Sequence, residues 1–307
     1  KQKLVMIGNG MAGLRTIEEI LERSQSQFDI TIIGKEPYPN YNRIMLSNIL
    51  QKKMTVEDTI MNPYDWYQEN NIELINNDPV EKVDKENKIV TTSKGIEVEY
   101  DICIFATGSK AFVLPIPGSN LPSVIGWRTI DDTNKMIEIA QTKKRAVVIG
   151  GGLLGLECAR GLLDQGMEVT VLHLADWLME MQLDRKAGEM LKADLEKQGM
   201  KIELQANSKE IIGDKDVEAI KLADGRVIET DLVVMAVGIR PYTEVAKDSG
   251  LDVNRGIVVN DYMQTSDSHI YAVGECAEHD GKVYGLVAPL YEQGKVLADY
   301  LTGKETK

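Results

Sequence analysis

The stretch VMIGNGMAGL, residues 5–14, decides the fold. An apolar run breaks into Gly8, Gly10 and Gly13, then resumes with apolar residues at helical spacing through residue 23. The run reads as a buried strand and the continuation as a helix. FDITIIG, residues 28–34, reads as the next strand, so the glycines stand at the first turn of a βαβ unit. Gly8-Asn9-Gly10-Met11-Ala12-Gly13 fits G-x-G-x-x-G. In that pattern the first glycine permits the tight turn, the second lets backbone approach a pyrophosphate, and the third lets helix pack on strand. The helix N-terminus supplies N–H donors and a positive dipole end for the phosphates.

The same grammar returns at VVIGGGLLGL, residues 147–156. RAVVIG is the strand, Gly150-Gly151-Gly152-Leu153-Leu154-Gly155 the turn, residues 153–165 the helix, and MEVTVLHL the following strand. A second repeat accompanies it. DICIFATGS (101–109) matches DLVVMAVGI (231–239): Asp, an apolar strand, Ala, then a turn ending in Gly. Two modules therefore repeat in the same order, which implies two similar domains. Between the two glycine-rich units, IELI (72–75) and residues 81–100 read as short strands, the latter antiparallel with turn residues between them.

Proline and glycine gather at VLPIPGSNLP (113–122) and GIRPYT (238–243), the expected crossings between modules. GLVAPLYEQGKVLADYL (285–301) reads as a helix with Pro289 in its first turns, where a missing N–H is tolerated. This tail has no glycine-rich unit of its own and is expected to rejoin the first module. The expected fold is α/β: two Rossmann-like, three-layer β-β-α dinucleotide-binding domains, the second inserted in the first. The boundaries expected are 1–114 with 242–307, and 115–241.

Composition narrows the function. The 307 residues are 43% hydrophobic and 27% charged, as in an ordinary globular protein with room for two cores. No apolar run is long enough to span a membrane, and no charged-then-apolar leader opens the chain, so neither a membrane span nor a secretory signal is expected. The net charge of −13 argues against a nucleic-acid surface. Cys103, Cys158 and Cys276 form no CxxC, which excludes a thioredoxin-like pair and a cluster or zinc framework. Cys103 and Cys158 read as buried small hydrophobes, and this usage fits a reducing cytoplasm.

An acid is expected to close the second strand of each unit and bind a ribose hydroxyl. Glu36 stands there in the first, about 20 residues past the fingerprint, with Lys35 beside it. In the second the place falls to His173, either a ligand or a surface histidine. The choice between NADH and NADPH is therefore open. Two dinucleotides in one chain suggest a relay, most economically a bound flavin and a diffusing nicotinamide.

ATGS (106–109), AVGIRP (236–241) and YAVGECAE (271–278) complete a resemblance to the pyridine-nucleotide-dependent flavoprotein reductases with two dinucleotide-binding domains. Within them, GNGMAGLRTIEEILER, YPNYNRIMLS, NPYDWYQENNIEL, GGGLLGLECARGLLDQGMEVTVLHLADWLMEMQLD and VYGLVAPLYEQGKVLADYLTG resemble the large subunits of bacterial NAD(P)H nitrite reductases, over nearly the whole chain. The resemblance implies FAD at the first glycine turn, with Arg43 and Lys110 as basic contacts, Asn48 where relatives often carry Lys, and Val80 holding the adenine through its backbone. It further places Ala106, Thr107 and Gly108 beside the pyrophosphate, Gly274-Glu275 on the ribityl chain (Glu where Asp is usual), and Leu286 and Val287 near flavin N1. NAD(P)H is implied at Gly150, Gly152, Leu153, Leu154 and Gly155, with Glu157 beside the nicotinamide and Gly238 stacked against it. No protein nucleophile or general base is expected. Iron–sulfur and sirohaem centres are expected only in domains or partners outside these residues, and a homodimer is allowed. The alternatives are a stand-alone rubredoxin or ferredoxin reductase, and a redox-sensing flavoprotein without turnover.

Overall fold

The computed structural model describes residues 1–305. The chain divides into two compact units. One comprises Lys1–Asn42, Ile60–Lys110 and the chain from Arg240 onward; the other comprises Arg43–Thr59 and Ala111–Ile239. The sequence reading ran the first unit unbroken through residue 114. The difference has a physical cause in the short helix Leu46–Leu50. Leu50 is fully buried, a Cβ on Gly161 would lie 2.5 Å from its Cγ, and Gln165 Nε2 donates to its carbonyl at 2.7 Å. Contacts with the helix Leu153–Asp164 thus fix Arg43–Thr59 to the second unit.

The first unit is built on a five-stranded parallel sheet. Its order is Ile270–Ala272, Ile102–Phe105, Gln2–Ile7, Phe28–Ile33, Glu73–Ile75. Leu4, Val5, Met6 and Ile7 are all buried, as are Ile102 to Phe105, because parallel strands are covered on both faces. The helix Met11–Arg23 buries Leu14, Ile17 and Ile20 and packs along the helix Val287–Leu301. Gly294 makes that approach possible: a Cβ there would sit 2.8 Å from Thr16 Oγ1. Glu19, 4% exposed, lies between Arg15 and Arg23, and Arg23 Nε also donates to Asp299 Oδ1 at 2.6 Å. Burial opposes ionisation of Glu19, but the hydrogen bonds and charges of Arg23 and Arg15 outweigh it and hold the carboxyl below its ordinary range. A three-stranded antiparallel sheet, Val80–Asp84, Ile89–Thr92 and Glu97–Glu99, belongs to the same unit.

The second unit repeats the plan. Its parallel sheet runs Lys201–Glu203, Glu168–Leu172, Arg145–Ile149, Leu232–Met235, Val124–Gly126. Its antiparallel sheet comprises Ser208–Ile212, Ala219–Leu222 and Val227–Glu229. Two helices here left no glycine signature. Ile130–Thr142 opens on a capping box between Thr129 and Asp132, and Arg185–Lys197 opens on Asp184, whose carboxylate accepts from the Ala187 N–H. Among the described residues no helix is long and apolar enough to cross a membrane.

Candidate functional site

The two glycine turns are congruent in detail. The Gly8 N–H donates to the Ile33 carbonyl and the Gly150 N–H to the Leu172 carbonyl, both at 2.8 Å. Gly8 has φ +114° and Gly150 +118°, a region that favours glycine. A Cβ on Gly8 would stand 2.2 Å from the Ala106 carbonyl oxygen, and one on Gly150 2.2 Å from that of Ala236. The paired alanines of the ATG and AVG stretches are thus the backbone on which each turn closes. Gly10 and Gly152 behave oppositely: a Cβ on either would meet nothing within 4 Å. Each is the N-cap of its helix, with no side chain capping the first turn. The leading N–H groups of Met11–Arg23 and Leu153–Asp164 therefore lack intrahelical acceptors, and the space at each N-cap Cβ position is open.

Around the first turn, Gly274 (φ +87°) lies against the helix start, with a Cβ position 3.0 Å from Ala12 Cβ. This brings Gly274-Glu275 to the fingerprint. The Gly274 N–H is held by Gln293 Oε1 at 2.9 Å, a partner carrying no sequence motif. Tyr41 donates to Glu36 Oε1 at 3.1 Å. Lys35 and Lys110 both lie over the Tyr242 ring, at 5.0 and 5.4 Å, and Lys110 pairs with Glu244. Thr107 Oγ1 donates to the Tyr242 carbonyl at 2.7 Å, and Gly108 has φ +63°. Val80 begins the antiparallel sheet and is buried. Leu286, 75% exposed, stands at the N-cap position of Val287–Leu301, where no side chain caps the first turn.

Asn9 serves as a clamp. Its Oδ1 accepts from Tyr67 Oη at 2.7 Å, whose oxygen accepts in turn from the Asn40 N–H at 3.0 Å. Burial pushes the Tyr67 hydroxyl up to about 12, so it stays a donor at every working pH. The chain continues from Asn40 Nδ2 to Asn62 and from Asn62 Nδ2 to Glu18. These residues, distant in sequence, carry no pattern that would have found them.

Arg43 and Asn48 lie in the second unit. Arg43 Nη1 donates to the Arg128 carbonyl at 3.3 Å, and Asn48 Nδ2 faces the sulfurs of Met45 and Met54 at 3.2 and 3.5 Å. Beside the second turn, Leu153 and Leu154 are exposed. Glu157 is half-buried and has no hydrogen-bond or ionic partner among the described residues; burial alone raises its carboxyl above the ordinary range. It therefore neither caps nor pairs within its helix. Gly238 has φ +111° with open space at its Cβ position.

His173 departs from the expectation of a surface histidine: it is 7% exposed. Its Nδ1 accepts the Gly151 N–H at 2.9 Å and its Nε2 lies 2.8 Å from Glu180 Oε2. The three cysteines are buried and free, with their thiols pushed up by burial.

In each unit an uncapped helix start follows the open glycine, and in the second the exposed Leu153 and Leu154 adjoin it. Such a cradle of donors and apolar surface suits the pyrophosphate and rings of a dinucleotide. Fold and turns define a reductase class with one nucleotide module per unit. The chain belongs to the pyridine nucleotide-disulphide oxidoreductase family, whose model matches residues 2–294. It is an NAD(P)H-dependent flavoprotein reductase, and family membership implies binding of FAD and NAD(P)H. It is 58% identical to a nitrite reductase [NAD(P)H] of Bacillus subtilis over 100% of this chain and 38% of that relative. It is 33% identical to the NADH-rubredoxin oxidoreductase of Clostridium acetobutylicum, over 96% and 73%. A solved ferredoxin reductase from Rhodopseudomonas palustris superposes with a TM-score of 0.92 at 29% identity, covering 100% of this chain and 77% of that one. The chain thus spans less than two fifths of the nitrite reductase it resembles.

Proposed function

We propose that this chain is the NAD(P)H-oxidising flavoprotein part of a nitrite-reducing enzyme of the cytoplasm. Its electrons leave for iron–sulfur and sirohaem centres outside these residues. The observation that carries the two-nucleotide reading is the pair of congruent glycine turns, each open at its second glycine. The nitrite assignment is supported by identity to the Bacillus subtilis relative across the whole chain.

A bound flavin supplies hydride acceptance and onward electron transfer. The protein's part is to hold and orient. Gly8, Gly10 and Gly13 admit the FAD pyrophosphate to the N–H groups of Met11 and Ala12. Glu36 takes the ribose, with Lys35 and Lys110 supplying positive charge. Val80 offers backbone to the adenine, and Ala106, Thr107 and Gly108 line the pyrophosphate. Glu275 accepts from ribityl hydroxyls, and the helix start at Leu286 and Val287 turns its dipole toward the ring, where negative charge is stabilised. In the second unit Gly150, Gly152, Leu153, Leu154 and Gly155 take the NAD(P)H pyrophosphate, while Glu157 and Gly238 contact the nicotinamide. Glu157, half-buried and unpaired, can donate a hydrogen bond when protonated or accept one when ionised.

A second reading, a complete rubredoxin or ferredoxin reductase, is favoured by the 73% coverage of the Clostridium relative. FAD-loaded protein assayed with NADH and ferricyanide tests both enzyme readings, and no turnover would leave a redox-sensing flavoprotein. The size of the native polypeptide, with its iron and sirohaem content in nitrite-grown cells, separates the two. A native chain ending near residue 307 and free of both cofactors overturns the nitrite reading.

A further inference from the structure

We infer that Glu180, held in place by His173, reads the 2′-hydroxyl of the nicotinamide dinucleotide's adenosine ribose and makes this chain select NADH over NADPH. This rests on the reading of the second unit as the nicotinamide module.

The argument begins at the strand end, where the ribose-binding acid usually stands. The strand Glu168–Leu172 ends there in His173. The ring sits under the glycine turn: a Cβ on Gly151 would lie 2.7 Å from His173 Cγ and 2.7 Å from Leu178 Cδ2. Nδ1 accepts the Gly151 N–H, so it carries no proton. The proton of the neutral ring is then on Nε2, which donates to Glu180 Oε2 at 2.8 Å. The tautomer is fixed by the turn itself.

The segment that carries Glu180 is tied to the same place. Met179, at φ +53°, donates its N–H to the Gly151 carbonyl at 3.0 Å. Trp177 Nε1 donates to the Leu183 carbonyl at 2.9 Å, closing the segment on itself. The Glu180 side chain is 34% exposed, so one oxygen is engaged by histidine while the carboxylate still reaches solvent beside the glycine turn. The histidine thus fills the space below the acid's usual place, and the acid arrives from seven residues further along the chain.

The surroundings suit a hydroxyl and oppose a phosphate. A carboxylate accepts hydrogen bonds and repels a dianion. Residues 173–184, HLADWLMEMQLD, contain Asp176, Glu180 and Asp184 and no lysine or arginine. Arg185, next along, is engaged by Asp176 at 2.6 Å, lies over the Trp177 ring at 4.8 Å and has Glu189 at 3.8 Å. The nearest cation of the segment is therefore already neutralised.

The test is calorimetric titration of FAD-loaded protein with ADP-ribose and 2′-phospho-ADP-ribose, which need no turnover. The wild type is expected to bind ADP-ribose at least about tenfold more tightly, a difference of ~1.4 kcal/mol. Glu180→Gln should bring the two within about threefold, and Glu180→Lys should reverse the order, with far-ultraviolet dichroism unchanged in both. His173→Phe keeps the apolar filling but leaves Glu180 unheld, and should lose part of the discrimination. Equal affinities in the wild type, or an unchanged ratio in Glu180→Gln, overturn the inference and leave the nicotinamide module standing. Failure of both ligands to bind overturns the module assignment and this inference with it.

Discussion

Gly8 and Gly10 are two residues apart and do different work. Gly8 has a positive φ and a carbonyl oxygen 2.2 Å from where a Cβ would go; Gly10 has neither. Gly8→Ala should therefore destabilise the apoprotein by about 3 kcal/mol through strain and overlap. Gly10→Ala should leave apoprotein stability within about 0.5 kcal/mol. It should weaken FAD at least about tenfold, because the methyl group enters the phosphate's approach. Thermal melts of both apoproteins and flavin fluorescence titrations measure the two effects, and equal loss of stability in both variants would sink this division. Glu157 gives a pH-dependent counterpart. Burial raises its carboxyl above 4.5, so the folded state holds the proton more tightly than the unfolded chain does. Stability is then lost as pH rises from about 4.5 through the folded value, and the penalty is complete above it. Glu157→Gln should melt up to about 2 °C above wild type at pH 8 and level with it near pH 4. Unchanged or lower melting of the variant at pH 8 contradicts the raised carboxyl. The glycines were legible in the sequence because spacing alone distinguishes their roles. The protonation bias of Glu157 was not, since it depends on what covers the helix.

At the level of elements, the helix Val287–Leu301 acts on the first glycine turn through one side chain. Gln293 is 8% exposed and accepts the buried Gly274 N–H. Gln293→Leu keeps the packing volume and leaves that N–H without a partner, a cost of about 1–3 kcal/mol. The Gly274-Glu275 turn should loosen and FAD should dissociate about tenfold more readily. Stopped-flow release of flavin tests this; a release rate equal to wild type means the turn is held by other contacts. The helix was readable from apolar spacing, as was Met11–Arg23, whose limits coincide with the sequence reading. Both parallel cores were readable too, since strands buried on both faces are continuous apolar runs. What escaped was set by tertiary packing. The segment Arg43–Thr59 lacks a glycine or proline break, and its allegiance is decided by Leu50 against Gly161. The sequence leaves His173 open between a ligand and a surface histidine because its partners, Glu180 and the glycine turn, follow no period with it.

For the whole molecule, the 48 acidic and 35 basic residues leave a net charge of −13. A surface of that sign attracts cations and repels anions over roughly 10 Å at 0.1 M salt. The chain also spans only 38% of its nitrite reductase relative, so the natural acceptor proposed here lies elsewhere. Artificial acceptors of opposite charge therefore report the field around the reduced flavin without an evolved docking site. With NADH saturating, so that its own charge drops out, reduction of ferricyanide should rise and reduction of the basic protein cytochrome c should fall as salt increases from about 20 to 200 mM. Each change should be on the order of three- to tenfold, within the range steering produces. The sign matters more than the size. Opposite slopes place the exit for electrons within the acidic field. Parallel slopes for the two acceptors would mean that chemistry inside the protein limits turnover, or that basic residues such as Lys35 and Lys110 cancel the field locally. Glu244 pairs with Lys110 and offsets part of that positive charge, which leaves Lys35 as the cation able to do so.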